Sequence, residues 1–197
     1  TGMSTYEEID HTYALLCESQ LPFALMNCVS EYPPNYADLN LAVIPEMITR
    51  YPLAVIGHSD HTPDIYTSFA AIPLGAVVIE KHVILDKQQS GPDQSVSIDF
   101  FEMATLVDGI RKIEKAMGSE KIVHKREQDI RRWAFRSLVS TQPIKRGDIF
   151  SEHNIWSKRP GTGIPSSKID IVLGRKATRD IPSNSLLAWD DIESKGL

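Results

Sequence analysis

LAVIGHSDHTPDIYTSFAAIPLGAVVIEKHV, residues 53–83, decides the fold. Its two apolar runs, residues 53 to 57 and 76 to 83, lack polar alternation, which is the pattern of parallel strands covered on both faces. Between them, Thr62 followed by Pro63 reads as an N-cap and a first helical position. Asp64 then falls near the positive end of the helix, and Ile65, Phe69 and Ile72 face inward until Gly75 ends it. Strand, crossover helix and second strand form one βαβ unit.

Working outward, the same alternation fills residues 1 to 118. An earlier strand is expected over residues 22 to 28. Ahead of it, Ser4 and Glu7 read as a capping box before the stripe Ile9, Tyr13 and Leu16, and Leu41, Ile44 and Ile48 form a second stripe. A last helix starts near Asp99, with Glu102 completing a capping box. It carries Met103, Leu106, Ile110, Ile113 and Met117 at helical spacing, and Gly118 stops it. This order is the βα repeat of a barrel or of an open doubly wound sheet.

Residues 119 to 135 are a charge-rich linker with some helical content, because acidic and basic residues interleave. From 136 to 197 the pattern changes to short β-like runs separated by Gly, Pro, Asn and Asp. TQPIKRGDIFSEHNI (141–155) and TRDIPSNSLLAWDDI (178–192) repeat one another, pairing Thr141 with Thr178, Ile144 with Ile181, Gly147 with Asn184, Ile149 with Leu186 and Ile155 with Ile192. A small β domain with internal pseudo-two-fold symmetry is expected.

Composition narrows the function. The 197 residues are 42% hydrophobic and 24% charged, within the soluble globular range, and a formal charge of −5 offers no general attraction to nucleic acid or to anionic membranes. No apolar run approaches the roughly 20 residues of a membrane-spanning helix, and Thr1 to Asp10 lack the basic start of a signal peptide, so a cytoplasmic protein is expected. Cys17 and Cys28 have no CxxC spacing and read as reduced thiols, one on a helix and one at a strand end.

In parallel βα folds the site forms at the carboxyl ends of the strands. His61 and His82 end consecutive strands, so one rim receives both imidazoles. They suit a divalent ion such as Mn²⁺ or Zn²⁺ with oxygen ligands completing the shell, or they are ordinary hydrogen-bonded histidines. His58 reads as a group behind such ligands or facing solvent, and Asp60 either orients a ligand or caps the following helix. Lys81 is a salt-bridge residue by its alternation, or a site group. Ser59 could bind phosphate, and Gly91-Pro92-Asp93 is a turn whose Asp93 could bind a sugar hydroxyl. Lys158-Arg159-Pro160-Gly161-Thr162-Gly163 reads as a loop loosened by its glycines, able to reach an anionic or polar ligand or simply to face solvent.

With Thr1-Gly2-Met3, CVSEYPP (28–34), GHSDHT (57–62), IEKHVILD (79–86), GPDQSVS (91–97), RSLVS and KRPGTGI in this order, the chain resembles the sialic acid synthase (N-acetylneuraminate synthase) family over almost its whole length. The resemblance implies an α/β fold, a partial TIM barrel followed by a small antifreeze-like (SAF, β-clip) domain. It also implies condensation of phosphoenolpyruvate with N-acetylmannosamine or a related N-acetylated sugar aldehyde. By motif position His61 and His82 would hold the metal, Mn²⁺ with Mg²⁺ as the alternative. Ser30 and Ser59 would contact phosphoenolpyruvate, and Tyr32 and Asp93 the sugar. Arg159 would reach the sugar's N-acetyl group from the second subunit of a domain-swapped homodimer. Relatives making legionaminic, pseudaminic or spore-coat sugars share the motifs, and a non-catalytic carbohydrate-binding module is the rival from another class. Ser30 departs from relatives that carry Asn. Thr1-Gly2-Met3 corresponds to the end of the family's fifth barrel strand, so this chain is expected to be inactive alone.

Overall fold

The computed structural model describes residues 1–194 and divides into two units, Thr1–Ser119 and a second beginning at Glu120. The first unit runs α1 (Tyr6–Glu18), β1 (Ala24–Cys28), α2 (Val43–Arg50), β2 (Val55–Asp60), α3 (Tyr66–Ala71), β3 (Val78–Lys81) and α4 (Phe100–Ala116). The three strands pair in parallel in chain order, Cys28 opposite Ser59 and Ser59 opposite Glu80. A parallel bridge from Val83 to Ile98 adds a fourth short segment.

One face of the sheet carries Leu25, Ile56 and Ile79, and all the helices cover that face. Ile9 of α1, Ile44 and Met47 of α2 and Ala71 of α3 join Leu25 and Ile56 in one buried cluster, while Met103 and Leu106 of α4 lie beside Ile79. A doubly wound sheet reverses its order and takes helices on both faces. Sequential order with single-sided helices makes this unit an arc of a β/α barrel.

Local chemistry shifts several boundaries. The capping box of α1 is formed by Thr5 and Glu8 rather than Ser4 and Glu7, because the Ser4 N–H is already taken by the Thr1 carbonyl in a turn. The Asp99–Glu102 box of α4 forms as expected. In α2 the inward positions are Ile44 and Met47, whereas Ile48 is 40% exposed. Thr62 and Pro63 do not start α3, which begins at Tyr66. The inward face of α3 is Thr67, Ser68 and Ala71, with Ile65 and Ile72 only partly buried. The strand expected over 53 to 57 runs on to Asp60, so His58, Ser59 and Asp60 belong to β2 itself.

The second unit contains α5 (Lys125–Ala134), β4 (Ser137–Ser140), β5 (Ile155–Lys158) and α6 (Ile169–Val172), with β4 and β5 antiparallel. Its sequence repeat is a repeat of contacts. Ile144 and Ile181 bridge each other, and Val139 pairs with Leu186 as Ile149 pairs with Lys176. The Thr141 hydroxyl donates to the His153 carbonyl as the Thr178 hydroxyl donates to that of Asp190. Asn154 accepts from the Ser151 N–H as Asp191 accepts from that of Ala188. The turn positions Gly147 and Asn184 both have positive φ, 90° and 58°. Leu138, Phe150, Ile155 and Leu187 form the buried centre.

Gly57 is the tightest point of the sheet. A Cβ there would lie 2.4 Å from the Met26 sulfur and 2.6 Å from the Val78 carbonyl oxygen, and the latter is backbone that cannot turn aside. Gly57→Ala is expected to destabilise the first unit by about 1–3 kcal/mol, read as a lowered urea midpoint, while leaving the separate core of the second unit unchanged.

Candidate functional site

Period-two alternation along the strands divides their ends into two sides. Leu25, Asn27, His58, Asp60 and Lys81 point toward the helices. Met26, Cys28, Ser59, His61, Glu80 and His82 take the opposite side.

On that second side three rings meet. The imidazoles of His61 and His82 are edge to face with centroids 5.1 Å apart. The Tyr32 ring stacks on His61 at 4.2 Å and meets His82 edge-on at 5.6 Å. His61 is buried, and its Nδ1 lies 2.8 Å from the Val29 carbonyl oxygen. A carbonyl only accepts, so Nδ1 carries a proton, and in the neutral ring Nε2 is the nitrogen that holds the lone pair. His82 turns Nδ1 toward the Asp93 carboxylate at 3.5 Å, which favours the same tautomer. The turn at residues 91 to 93 therefore brings Asp93 to the rim.

Ser59 donates its hydroxyl to Glu80 at 2.9 Å. Ser30 lies 3.8 Å from the Cys28 sulfur, which is itself 3.9 Å from His61 Nδ1, and a shallow cleft lined by Thr1, Cys28, Ser30 and Glu31 opens there. The loops after β1 and β2 are tied by a hydrogen bond from the Tyr36 hydroxyl to Asp64; with the carboxylate as the largest cause and burial adding to it, the phenol is pushed up to about 12. Ser30, Tyr32, Ser59, His61, His82 and Asp93 thus belong to one rim. Arg159 lies in the second unit, where its Nε donates to the Ala134 carbonyl at 3.0 Å and its guanidinium lies 5.5 Å from the centre of the Trp133 ring. Its loop is not loosened by glycine. A Cβ at Gly163 would fall 2.7 Å from the Leu187 carbonyl oxygen and one at Gly161 2.5 Å from the Phe135 Cβ, so these glycines permit close packing.

The donor set fits a divalent cation in part. Two imidazoles with Nδ1 turned to oxygen acceptors, His61 by a hydrogen bond and His82 at 3.5 Å, are good nitrogen ligands in their neutral form. No group of three His, Cys, Asp or Glu side chains converges among the described residues, so oxygen from water or substrate would complete the shell.

The helix side has its own polar chemistry. His58 does not face solvent. It is 1% exposed and its Nδ1 meets the Asn27 carbonyl at 3.1 Å, while Nε2 has no partner. Burial is the main cause that pushes its pKa down. Asp60, fully buried, neither caps α3 nor touches an imidazole. It accepts from the Thr62 N–H and hydroxyl at 2.8 Å, from the Thr67 and Ser68 hydroxyls at 2.6 Å, and pairs with Lys81 at 3.3 Å. Burial alone would raise the Asp60 carboxyl, yet the Ser68 and Thr67 hydroxyls, the Lys81 ammonium and the Thr62 N–H together hold it below its ordinary value. Burial lowers Lys81, and Asp60 opposes this only in part. The sequence assigns no role to Thr67 and Ser68, and none to Glu80 at the end of the third strand, although counting by twos from His82 puts Glu80 on the imidazole side.

Residues 1–122 match the NeuB family and residues 135–193 the SAF domain. The chain belongs to the NeuB family. It is 39% identical over 191 residues to N,N'-diacetyllegionaminic acid synthase of Campylobacter jejuni, covering 95% of this chain and 57% of that protein. The crystal structure of the spore coat polysaccharide biosynthesis protein SpsE of Bacillus subtilis superposes with a TM-score of 0.54 at 34% identity, covering 100% of this chain and 60% of that one. That of the N-acetylneuraminic acid (sialic acid) synthetase of Leptospira borgpetersenii, in complex with citrate, gives 0.60 at 34%, covering 66% and 45%. The chain spans about half the length of the curated relatives it matches. Among the described residues no helix is long and apolar enough to cross a membrane.

Neutral in the folded state, His58 titrates near 6.5 once unfolded. Below that pH the unfolded chain binds the extra proton, so the first unit loses stability as pH falls from about 6.5 toward the depressed folded pKa. Urea midpoints at pH 7.5, 6 and 5 should decline for this chain and decline less for His58→Gln.

Proposed function

We propose that this chain carries the sugar-activating side of a phosphoenolpyruvate-dependent nonulosonic acid synthase. The observation that carries the reading is the pair of facing imidazoles, His61 and His82, each with Nδ1 turned to an oxygen acceptor and 5.1 Å between ring centres. Membership of the NeuB family, with relatives named as acid synthases, supports the reaction class.

His61 and His82 are the residues that would hold a divalent cation, Mn²⁺ in the first instance. When bound, the cation supplies Lewis-acid polarisation of the sugar aldehyde oxygen. The enol carbon of phosphoenolpyruvate bonds to the aldehyde carbon, the aldehyde oxygen takes up a proton, water adds at the pyruvyl C2, and phosphate departs. Tyr32, packed on His61, walls the site and contacts the sugar, and Asp93 accepts from a sugar hydroxyl. Ser30 and Ser59 hold phosphoenolpyruvate, the Ser59 hydroxyl turning from Glu80, its acceptor in this structure, to donate to the substrate. Arg159 is assigned to the sugar's N-acetyl group, contributed by the second subunit of a domain-swapped homodimer. N-acetylmannosamine is the proposed acceptor, and the legionaminic and pseudaminic precursors are its competitors.

The test measures phosphate release from phosphoenolpyruvate with a panel of N-acetylated aldoses. The enzyme is this chain alone, and this chain fused behind the N-terminal segment of the Campylobacter jejuni relative. Release by the fusion that requires an aldose, stops with chelator and returns with Mn²⁺ is the expected result, with the chain alone inactive. His61→Ala and His82→Ala should each lower the rate by more than the roughly 10–100-fold typical of residues behind the ligands. Release with none of the aldoses would favour a carbohydrate-binding module instead.

A further inference from the structure

Asp60 and Lys81 each immediately precede one of the two imidazole residues, and they are register partners on β2 and β3. Their side chains point away from the rim into the helix side, where Lys81 is 1% and Asp60 0% exposed. The histidines that follow them point the other way. Lys81 Nζ also donates to the Thr62 carbonyl and lies 3.3 Å from the Thr62 hydroxyl, and that hydroxyl is bonded to Asp60. One buried cation, carried by the residue before His82, thereby grips the end of β2 at Asp60 and the residue after His61, Thr62.

We infer that the buried Asp60–Lys81 pair is a positioning device that sets the separation and facing of the His61 and His82 rings from the opposite side of the sheet. This rests on the proposal that the two imidazoles hold a cation. Its physical basis is that a charge pair with every partner satisfied tolerates little sliding between strands. The four groups donating to Asp60 come from Thr62, Thr67 and Ser68, so the loop carrying His61 toward α3 is fixed by the same carboxylate.

Removing one partner would strand a buried charge and threaten folding, so the pair is replaced together as Asp60→Asn with Lys81→Met, and Lys81→Arg serves as the conservative variant. Two readouts are taken on the 197-residue chain after circular dichroism shows retained structure. The first is affinity for Mn²⁺ alone, followed by electron paramagnetic resonance. The double variant should lose about 10–100-fold, and Lys81→Arg should retain most of the affinity; an unchanged affinity in the double variant overturns the proposal. The second, which needs no metal, is the His61 tautomer from imidazole ¹⁵N resonances. The parent should show the Nδ1-protonated form alone and the double variant a mixture of both tautomers, and a variant spectrum identical to the parent's overturns the inference. If His61→Ala and His82→Ala leave Mn²⁺ binding unaltered, the cation reading fails by itself, and the tautomer result still decides whether the pair positions the rings.

Discussion

The register of β3 against β2 is the constraint from which the rim follows. In a strand every side chain alternates sides, so sliding β3 by one residue would turn His82 into the helix layer and Lys81 out toward Tyr32. Hydrophobic burial opposes that slip weakly here, because β3 carries only Val78 and Ile79 as apolar residues. Electrostatics opposes it strongly. A slipped Lys81 would leave Asp60 fully buried without its cation, and breaking a buried pair from one side costs about 3–5 kcal/mol. The charge pair is thus a specificity element whose net stabilisation is small and whose penalty for misalignment is large.

That arrangement also separates two kinds of polar chemistry across a sheet one residue thick. Behind the sheet, Asp60 and Lys81 neutralise one another and are closed off by hydroxyls. In front of it, the two imidazoles turn Nδ1 to oxygen acceptors, and the nearby carboxylates of Glu80 and Asp93 add negative charge. A rim of this composition attracts a cation more readily than it attracts an anionic substrate. An anion such as phosphoenolpyruvate would therefore need a cation or basic groups beside it to bind at this rim.

Much of this was legible in the sequence, for reasons that differ by residue. The strands are legible because their runs are apolar without polar alternation, although helices cover only one face and Val55, Val77 and Val78 are exposed on this sheet. The histidine pair follows from the crossover rule that brings consecutive strand ends to one rim. Thr62-Pro63-Asp64 carries the same residue types as a helix cap, yet α3 begins at Tyr66. The Thr62 hydroxyl and N–H were already committed to Asp60, a tertiary demand that no local pattern reveals. Ser4 and Thr5 are each followed by a glutamate three residues on, so only the backbone turn closed by Thr1 distinguishes the two caps. For His58 the sequence leaves a place behind the ligands and a place in solvent both open, because its burial is set by Asn27 on the neighbouring strand, a residue 31 positions away.

The second unit meets a different problem, that of holding a small β structure together with little regular sheet. Domains of about 60 residues bury a modest fraction of their surface and are marginal. This one doubles each favourable arrangement. The Thr141 and Thr178 hydroxyls close equivalent loops, and Asn154 and Asp191 hold equivalent turns, so each half completes the core that the other begins. The segment that carries Arg159 lies between the two repeats and outside their symmetry. There Gly161 and Gly163 allow backbone approaches that any side chain would block, and the Arg159 Nε is already bonded to the Ala134 carbonyl. A guanidinium held in this way has lost much of its rotamer freedom before any ligand arrives, so less ordering opposes binding. Such preorganisation suits the N-acetyl contact proposed above for Arg159.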